Sequence, residues 1–153
     1  MNKEDFYHDF LLIRKMRAPT NKRYRMLGEL FAVNPNAWRV IGITENALKV
    51  FAEHDFKRAS RMGINRSHLV ERIQTYTTML EGPLMECEEW WNFYVDTDKT
   101  VLATSTENMG KGEWSKIYDI DPSLKLFQSQ GFAWCHKEPE ITFLKETLDN
   151  LVI

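Results

Sequence analysis

His68 and Arg72 stand four residues apart, a spacing that shares one face of a helix, and Arg66 lies two places before the histidine. An imidazole beside guanidinium groups is equipment for cleaving phosphodiesters. The imidazole serves as general base or acid, and the guanidinium stabilises charge that develops on phosphate. A second acid–base group has to come from elsewhere in the chain, and Glu107, in the loop after the first expected C-terminal strand, is the candidate. A small metal-independent nuclease using His68 with Arg66, Arg72 and Glu107 is therefore one reading of these residues.

The same segment supports recognition without cleavage. Ala59 is small, Gly63 follows four positions later, and Met62, Ile64 and Leu69 are apolar around and after it. On these residues Ala59–Ile73 resembles a helix-turn-helix DNA-binding unit. Arg58 and Arg72 depart from it, being charged where apolar residues are usual. The resemblance implies a second helix whose N-terminal end enters the major groove. It sets Asn65, Arg66, Ser67, His68 and Arg72 near base edges and phosphates, with Arg58 and Arg61 adding charge. Arginine offers two donors to guanine, and asparagine pairs in the same two-point way with adenine. This geometry requires a left-handed Gly63 between two helices, a buried Leu69, and accessible Arg66, His68 and Arg72.

All nine arginines precede residue 73. Residues 1–82 hold 14 Lys and Arg against 9 Asp and Glu, whereas residues 83–153 hold 6 against 13, so a formal net charge of −2 hides a basic and an acidic half. Arginine suits phosphate because its planar fork donates two parallel bonds and keeps its charge. A second basic run, Arg14, Lys15, Arg17, Lys22, Arg23 and Arg25, contains no acid and can track a phosphate backbone. The asymmetry points first to nucleic acid, DNA before RNA.

Other chemistries find little support. The histidines at 8, 54, 68 and 136 are scattered, and Cys135-His136 lacks zinc spacing, so no metal and no cofactor is expected. Gly110-Lys111-Gly112 lacks the frame of a phosphate-binding loop. Leu84, Cys87, Trp91 and Tyr94 share a helical face suited to a core. Trp90 and Phe93 fall off it beside Glu86, Glu88 and Glu89; core packing that widens the buried stripe is the favoured reading, contact with a protein partner is the alternative, and base stacking is less favoured beside these acids. A non-enzymatic inhibitor or adaptor working through this acidic, Trp-rich half is a third reading.

The elements that must position these groups change period along the chain. Through residue 82 the apolar spacing is helical: Phe6, Phe10, Ile13 and Met16; Tyr24, Leu27 and Phe31; Ala47, Leu48 and Phe51; Leu69, Ile73, Tyr76 and Leu80. Glu81-Gly82-Pro83 ends the last of these, and another helix runs from about Leu84 to Val95. Four short strands are then expected, at Thr100–Ser105, Trp114–Ile120, Leu124–Ser129 and Phe132–His136. Turns at Asn108-Met109-Gly110, Asp121-Pro122 and Gly131 separate them and suggest antiparallel pairing. Pro139 opens a last helix with Ile141, Leu144, Leu148 and Leu151 facing inward.

The expected fold is α+β, with a helical N-terminal half and a small antiparallel sheet of three to four strands closed by a terminal helix. A chain of 153 residues, 43% apolar and 12% aromatic, suits a single globular domain spanning 1–153, with its change of character near Gly82-Pro83. Two cysteines form no disulfide framework, and neither a secretory signal nor a membrane span is evident. A cytoplasmic setting is expected. The leading reading is a nucleic-acid-binding protein that contacts its ligand through Arg58–Arg72.

Overall fold

In the computed structural model, residues 1–110, 113–129 and 133–151 are described. The fold class is α+β, with seven α-helices and a mixed four-stranded sheet among the described residues. The chain divides into two compact units, residues 1–37 with 68–99 and residues 38–67 with 100–153, so the division does not fall at Gly82-Pro83.

The first unit holds four helices: α1 (Lys3–Lys15), α2 (Thr20–Ala32), α4 (Arg72–Glu81) and α5 (Cys87–Thr97). Asn2 caps α1 by accepting from Asp5 N at 2.8 Å, and the Asp5 carboxylate accepts from Asn2 N at 3.0 Å. Helix α1 packs on α2 and α5, and α4 packs on the same two, so the four close a ring. Phe6, Phe10, Leu27, Phe31, Met79, Leu80, Trp90 and Tyr94 fill it. Trp90 is fully buried, and its ring stacks on Phe10 at 4.8 Å and on Phe31 at 5.8 Å. Trp90 is thus the core residue that the favoured reading of the sequence made it, and Phe93 is half-buried against the same cluster. With two neighbouring helices, α5 needs an apolar stripe wider than one simple periodic face.

The second unit is built on the sheet. Its strands β1 (Arg39–Thr44), β2 (Ile64–His68), β3 (Lys99–Thr104) and β4 (Ile117–Asp119) lie in the order β2-β3-β1-β4. The division between units passes through β2 after Ser67 and through β3 before Thr100. Strands β1 and β4 are antiparallel, with Gly42 opposite Asp119 and Thr44 opposite Ile117. A Cβ at Gly42 would come within 2.7 Å of the Ile117 side chain, so this crossing requires glycine. Helix α3 (Glu45–Glu53) packs on β1, and α7 (Glu138–Asp149) packs on α3. Thr44 caps α3 by accepting from Ala47 N, as its position before Glu45 suggests. A one-turn helix, α6 (Ser105–Asn108), follows β3, and Pro139 sits in the first turn of α7. Val40, Ile43, Leu48, Phe51, Leu102, Phe127, Trp134 and Leu144 form the core.

Several expectations change. Strands β1 and β2 stand where only helices were expected. Residues 64–68 are extended and α4 begins at Arg72, so the second helix of the helix-turn-helix pattern is not formed. Gly63 does take a positive φ of 70°, but it leads from a loop into a strand. Leu69 and Ile73 are 46% and 57% exposed, because α4 starts later and buries Thr75, Tyr76, Met79 and Leu80 instead. Leu124–Ser129 is not a strand. A short 3₁₀ turn at Pro122–Leu124 is followed by positive φ at Lys125 and Phe127, which buries Leu126 and Phe127 on a bent backbone. Ala133–His136 is irregular, while Gly131 and Phe132 lie outside the described residues, as do Lys111 and Gly112. Leu151 and Met16, expected to face inward, are exposed.

Candidate nucleic-acid interface

The loop between α3 and β2 turns on an unusual backbone. Asp55, Phe56 and Arg61 take positive φ without being glycine, and Gly63 does so as well. Each such non-glycine residue costs about 1 kcal/mol or more, and such conformations gather where a loop must hold a set shape. Contacts from the second unit hold this one. His136 Nε2 donates to Phe56 O at 2.8 Å, while its ring stacks on Phe51 at 5.4 Å. Ser105 N donates to Gly63 O at 2.7 Å. A Cβ on Gly63 would meet Ser105 Oγ at 3.3 Å, so the close approach and the positive φ both favour glycine.

The result is an open cleft of about 500 Å³, lined by residues 58–65 and Trp134. Arg58 lies over the Trp134 ring at 4.7 Å and directs Nη1 toward Trp134 O at 3.4 Å. Trp134 is itself fixed by Nε1 donating to Ile64 O at 3.3 Å. Asn65 donates Nδ2 to Ser105 Oγ at 3.0 Å. Arg58 and Arg61 are exposed, and among the described residues neither forms an ion pair. No carboxylate lines the cleft among the described residues.

The remaining candidates go elsewhere. Arg66 was expected at the surface but is only 5% exposed. Its Nη1 donates to Ser129 O and Ala133 O, both at 2.8 Å, its Nη2 donates to Trp38 O, and its guanidinium lies 5.6 Å from the centre of the Trp38 ring. A buried guanidinium that ties three backbone carbonyls is structural. Replacing Arg66 with methionine is expected to destabilise the protein by about 2 kcal/mol, because those carbonyls lose their donors. Urea unfolding of the variant checks this. Ser67 is buried as well.

His68 and Arg72 do come together, in the first unit. His68 Nε2 is 2.9 Å from Asp98 Oδ1, and both side chains are largely buried. Arg72, Thr75, Tyr76, Tyr94 and Thr97 complete the wall of a cavity of about 10 Å³. Burial pushes the Tyr76 phenol up to about 12, with Arg72 opposing, and burial raises Tyr94 further still. A space that holds about one water molecule admits no phosphodiester. The chemistry expected of His68 therefore lacks room for its substrate.

Glu107, expected beside His68, is 6% exposed and serves another end. Its Oε2 accepts from Thr44 Oγ1 at 2.8 Å, Thr104 N at 2.9 Å and Thr104 Oγ1 at 3.1 Å. Its Oε1 accepts from Ser115 Oγ at 2.6 Å, Ser115 N at 3.1 Å and Asn46 Nδ2 at 3.2 Å. Burial alone would raise its pKa, but these donors together outweigh burial and hold the carboxyl down at about 2. A carboxylate so engaged is a joint, not a proton shuttle.

The second basic run is divided. Arg14 donates to Met79 O and, at 2.6 Å, to Gly82 O, which covers the C-terminal end of α4. Arg23 pairs with Glu81 at 2.9 Å. Lys15, Arg17, Lys22 and Arg25 are exposed around the α1–α2 corner. The charge asymmetry between the halves of the sequence does not carry over to the units. The first has 9 Lys and Arg against 11 Asp and Glu, and the second has 11 against 11. Local clusters, not a charged unit, hold whatever anion affinity the protein has.

Among the described residues, no group of three or more His, Cys, Asp or Glu is placed to hold a metal ion, and no helix is long and apolar enough to cross a membrane. No protein-family model, curated protein or solved structure matches the chain.

Proposed function

We propose that this protein binds nucleic acid through the cleft formed by residues 58–65 and Trp134. One observation carries the reading: the cleft presents two exposed arginines, Arg58 and Arg61, without a carboxylate among its described lining residues. Charged side chains on a folded surface are commonly balanced by neighbours of opposite sign. Two cations left unbalanced over a concavity of this size favour an anionic ligand. The flat guanidinium forks suit phosphate oxygens, and the positive φ of Arg61 supports the same reading, since that backbone is kept despite its cost. Lys15, Arg17, Lys22 and Arg25 form a separate exposed basic cluster within the first unit, suited by itself to phosphate contacts.

Binding of this kind weakens steeply with salt, because each neutralised phosphate releases counterions. Fluorescence anisotropy with labelled DNA and RNA, at two salt concentrations, is the direct test. Replacing Arg58 and Arg61 together with alanine is expected to weaken binding at least about tenfold, since a charge-assisted bond contributes about 1.5–3 kcal/mol. A dissociation constant that ignores both salt and the double replacement removes the reading.

A further inference from the structure

We propose that the cleft receives one unpaired nucleotide, with its base against Arg58 and its phosphate on Arg61. This rests on the nucleic-acid reading above and names the ligand of that site. The shape of the cleft makes the first point. Base edges of a duplex lie at the floor of a groove and are reached by a protruding helix or a two-stranded ribbon. Here the lining residues are a loop and the start of β2, and they form a concavity. Something must enter the protein, and a base can do so only when it is free of its partner and its stack.

The cleft is furnished for such a base. Arg58 lies over the Trp134 ring, 4.7 Å from its centroid, and is an exposed residue of the cleft lining. Guanidinium planes stack on unpaired bases, and this one is held ready by the indole behind it. Asn65 lines the same space. Among the described residues, one of its amide hydrogens is committed, to Ser105 Oγ at 3.0 Å. The other amide hydrogen and the carbonyl oxygen form the donor–acceptor pair that matches N7 and N6 of adenine. A free cytosine amino group finds no carboxylate among the described lining residues, and guanine O6 and N7 call for a guanidinium edge, whereas here Arg58 is assigned to stacking and Arg61 to phosphate. Adenine is thus the base the cleft fits best.

A ligand panel on the whole chain separates the outcomes. The probes are labelled oligo-dA, oligo-dT, a duplex of mixed sequence, and unlabelled adenosine monophosphate as competitor. Single-stranded oligo-dA is expected to bind at least about tenfold more tightly than the duplex, and several-fold more tightly than oligo-dT. Competition by the mononucleotide at concentrations near those of oligonucleotide identifies a free nucleotide as the ligand, and its failure to compete identifies a strand. Duplex binding equal to or tighter than single-strand binding overturns this proposal and leaves the nucleic-acid reading standing. No binding to any probe overturns both. Two variants test the assignment inside the cleft. Arg58→Lys keeps the charge but not the plane, and should lower single-strand affinity about tenfold, whereas full single-strand affinity in this variant shows that the base does not stack on Arg58. Asn65→Ala should erase the preference for dA over dT, and a preference that survives it shows that another group reads the base.

Discussion

Replacing Glu107 with glutamine is expected to destabilise the protein by about 3 kcal/mol at neutral pH, although the two side chains have nearly the same shape. Both carboxylate oxygens of Glu107 accept from a backbone N–H, Oε2 from Thr104 and Oε1 from Ser115. Whichever way a glutamine amide turns, its NH₂ meets one of these fixed donors, and a backbone N–H cannot reverse its role as a hydroxyl can. The charge also carries a pH signature. Its folded pKa of about 2 lies below the ordinary carboxyl value near 4.5. A depressed folded value gives stability that is full above the unfolded pKa and is lost as pH falls through the folded one. Discounted for solvent screening, the contribution is about 2 kcal/mol, disappearing between roughly pH 4.5 and pH 2. Urea unfolding across that interval should show a steeper loss in the parent than in the Glu107→Gln variant. Parallel curves would show that the carboxylate is not held as its six donors imply.

The second large effect is expected at Trp90. Trp90→Ala should cost about 4 kcal/mol, within the range for emptying a core aromatic site. The indole touches Tyr7, Phe10, Phe31, Trp91 and Tyr94, with ring centres between 4.8 and 6.5 Å away. Its Nε1 is buried without a hydrogen-bond partner among the described residues, so Trp90→Phe removes an unsatisfied donor and should cost much less. Equilibrium unfolding of both variants gives the comparison. Near-parental stability of Trp90→Ala would instead return the residue to the role of a surface contact.

Much of the fold is legible in the sequence because helices announce themselves by period. Phe6 with Phe10, Leu27 with Phe31, and Thr44 ahead of Glu45 point to elements that form. Strand β2 is hidden for a physical reason. Ile64-Asn65-Arg66-Ser67-His68 has no apolar alternation, because Arg66 is buried by hydrogen bonds to distant carbonyls and His68 by pairing with Asp98. Strand β1 is a short apolar run that passes directly into a helix cap, so its period is masked by its neighbour. The basic segment from Arg58 to Arg72 was visible as a cluster, but composition could not divide it. Arg58, Arg61 and Asn65 line the cleft, whereas Arg66, His68 and Arg72 are taken up elsewhere. What separates them is backbone geometry at Arg61 and Gly63 together with the position of Trp134, over seventy residues later in the chain. No local pattern encodes a contact of that range.

The interleaving of the two units bears on how the chain reaches its folded state. Helices α1 and α2 leave the ribosome long before α4 and α5, with the whole of residues 38–67 between them. The apolar faces of Phe6, Phe10, Leu27 and Phe31 have to wait for Trp90 and Tyr94, and strand β1 likewise waits for β3 and β4. Neither unit can close early in synthesis, since the first needs sequence through residue 99 and the second needs sequence from beyond it. A nascent chain stopped near Gly82 would hold two open half-cores. That delay keeps apolar faces uncovered for longer during synthesis, and the interleaving means that no single cut divides the chain into two self-sufficient fragments.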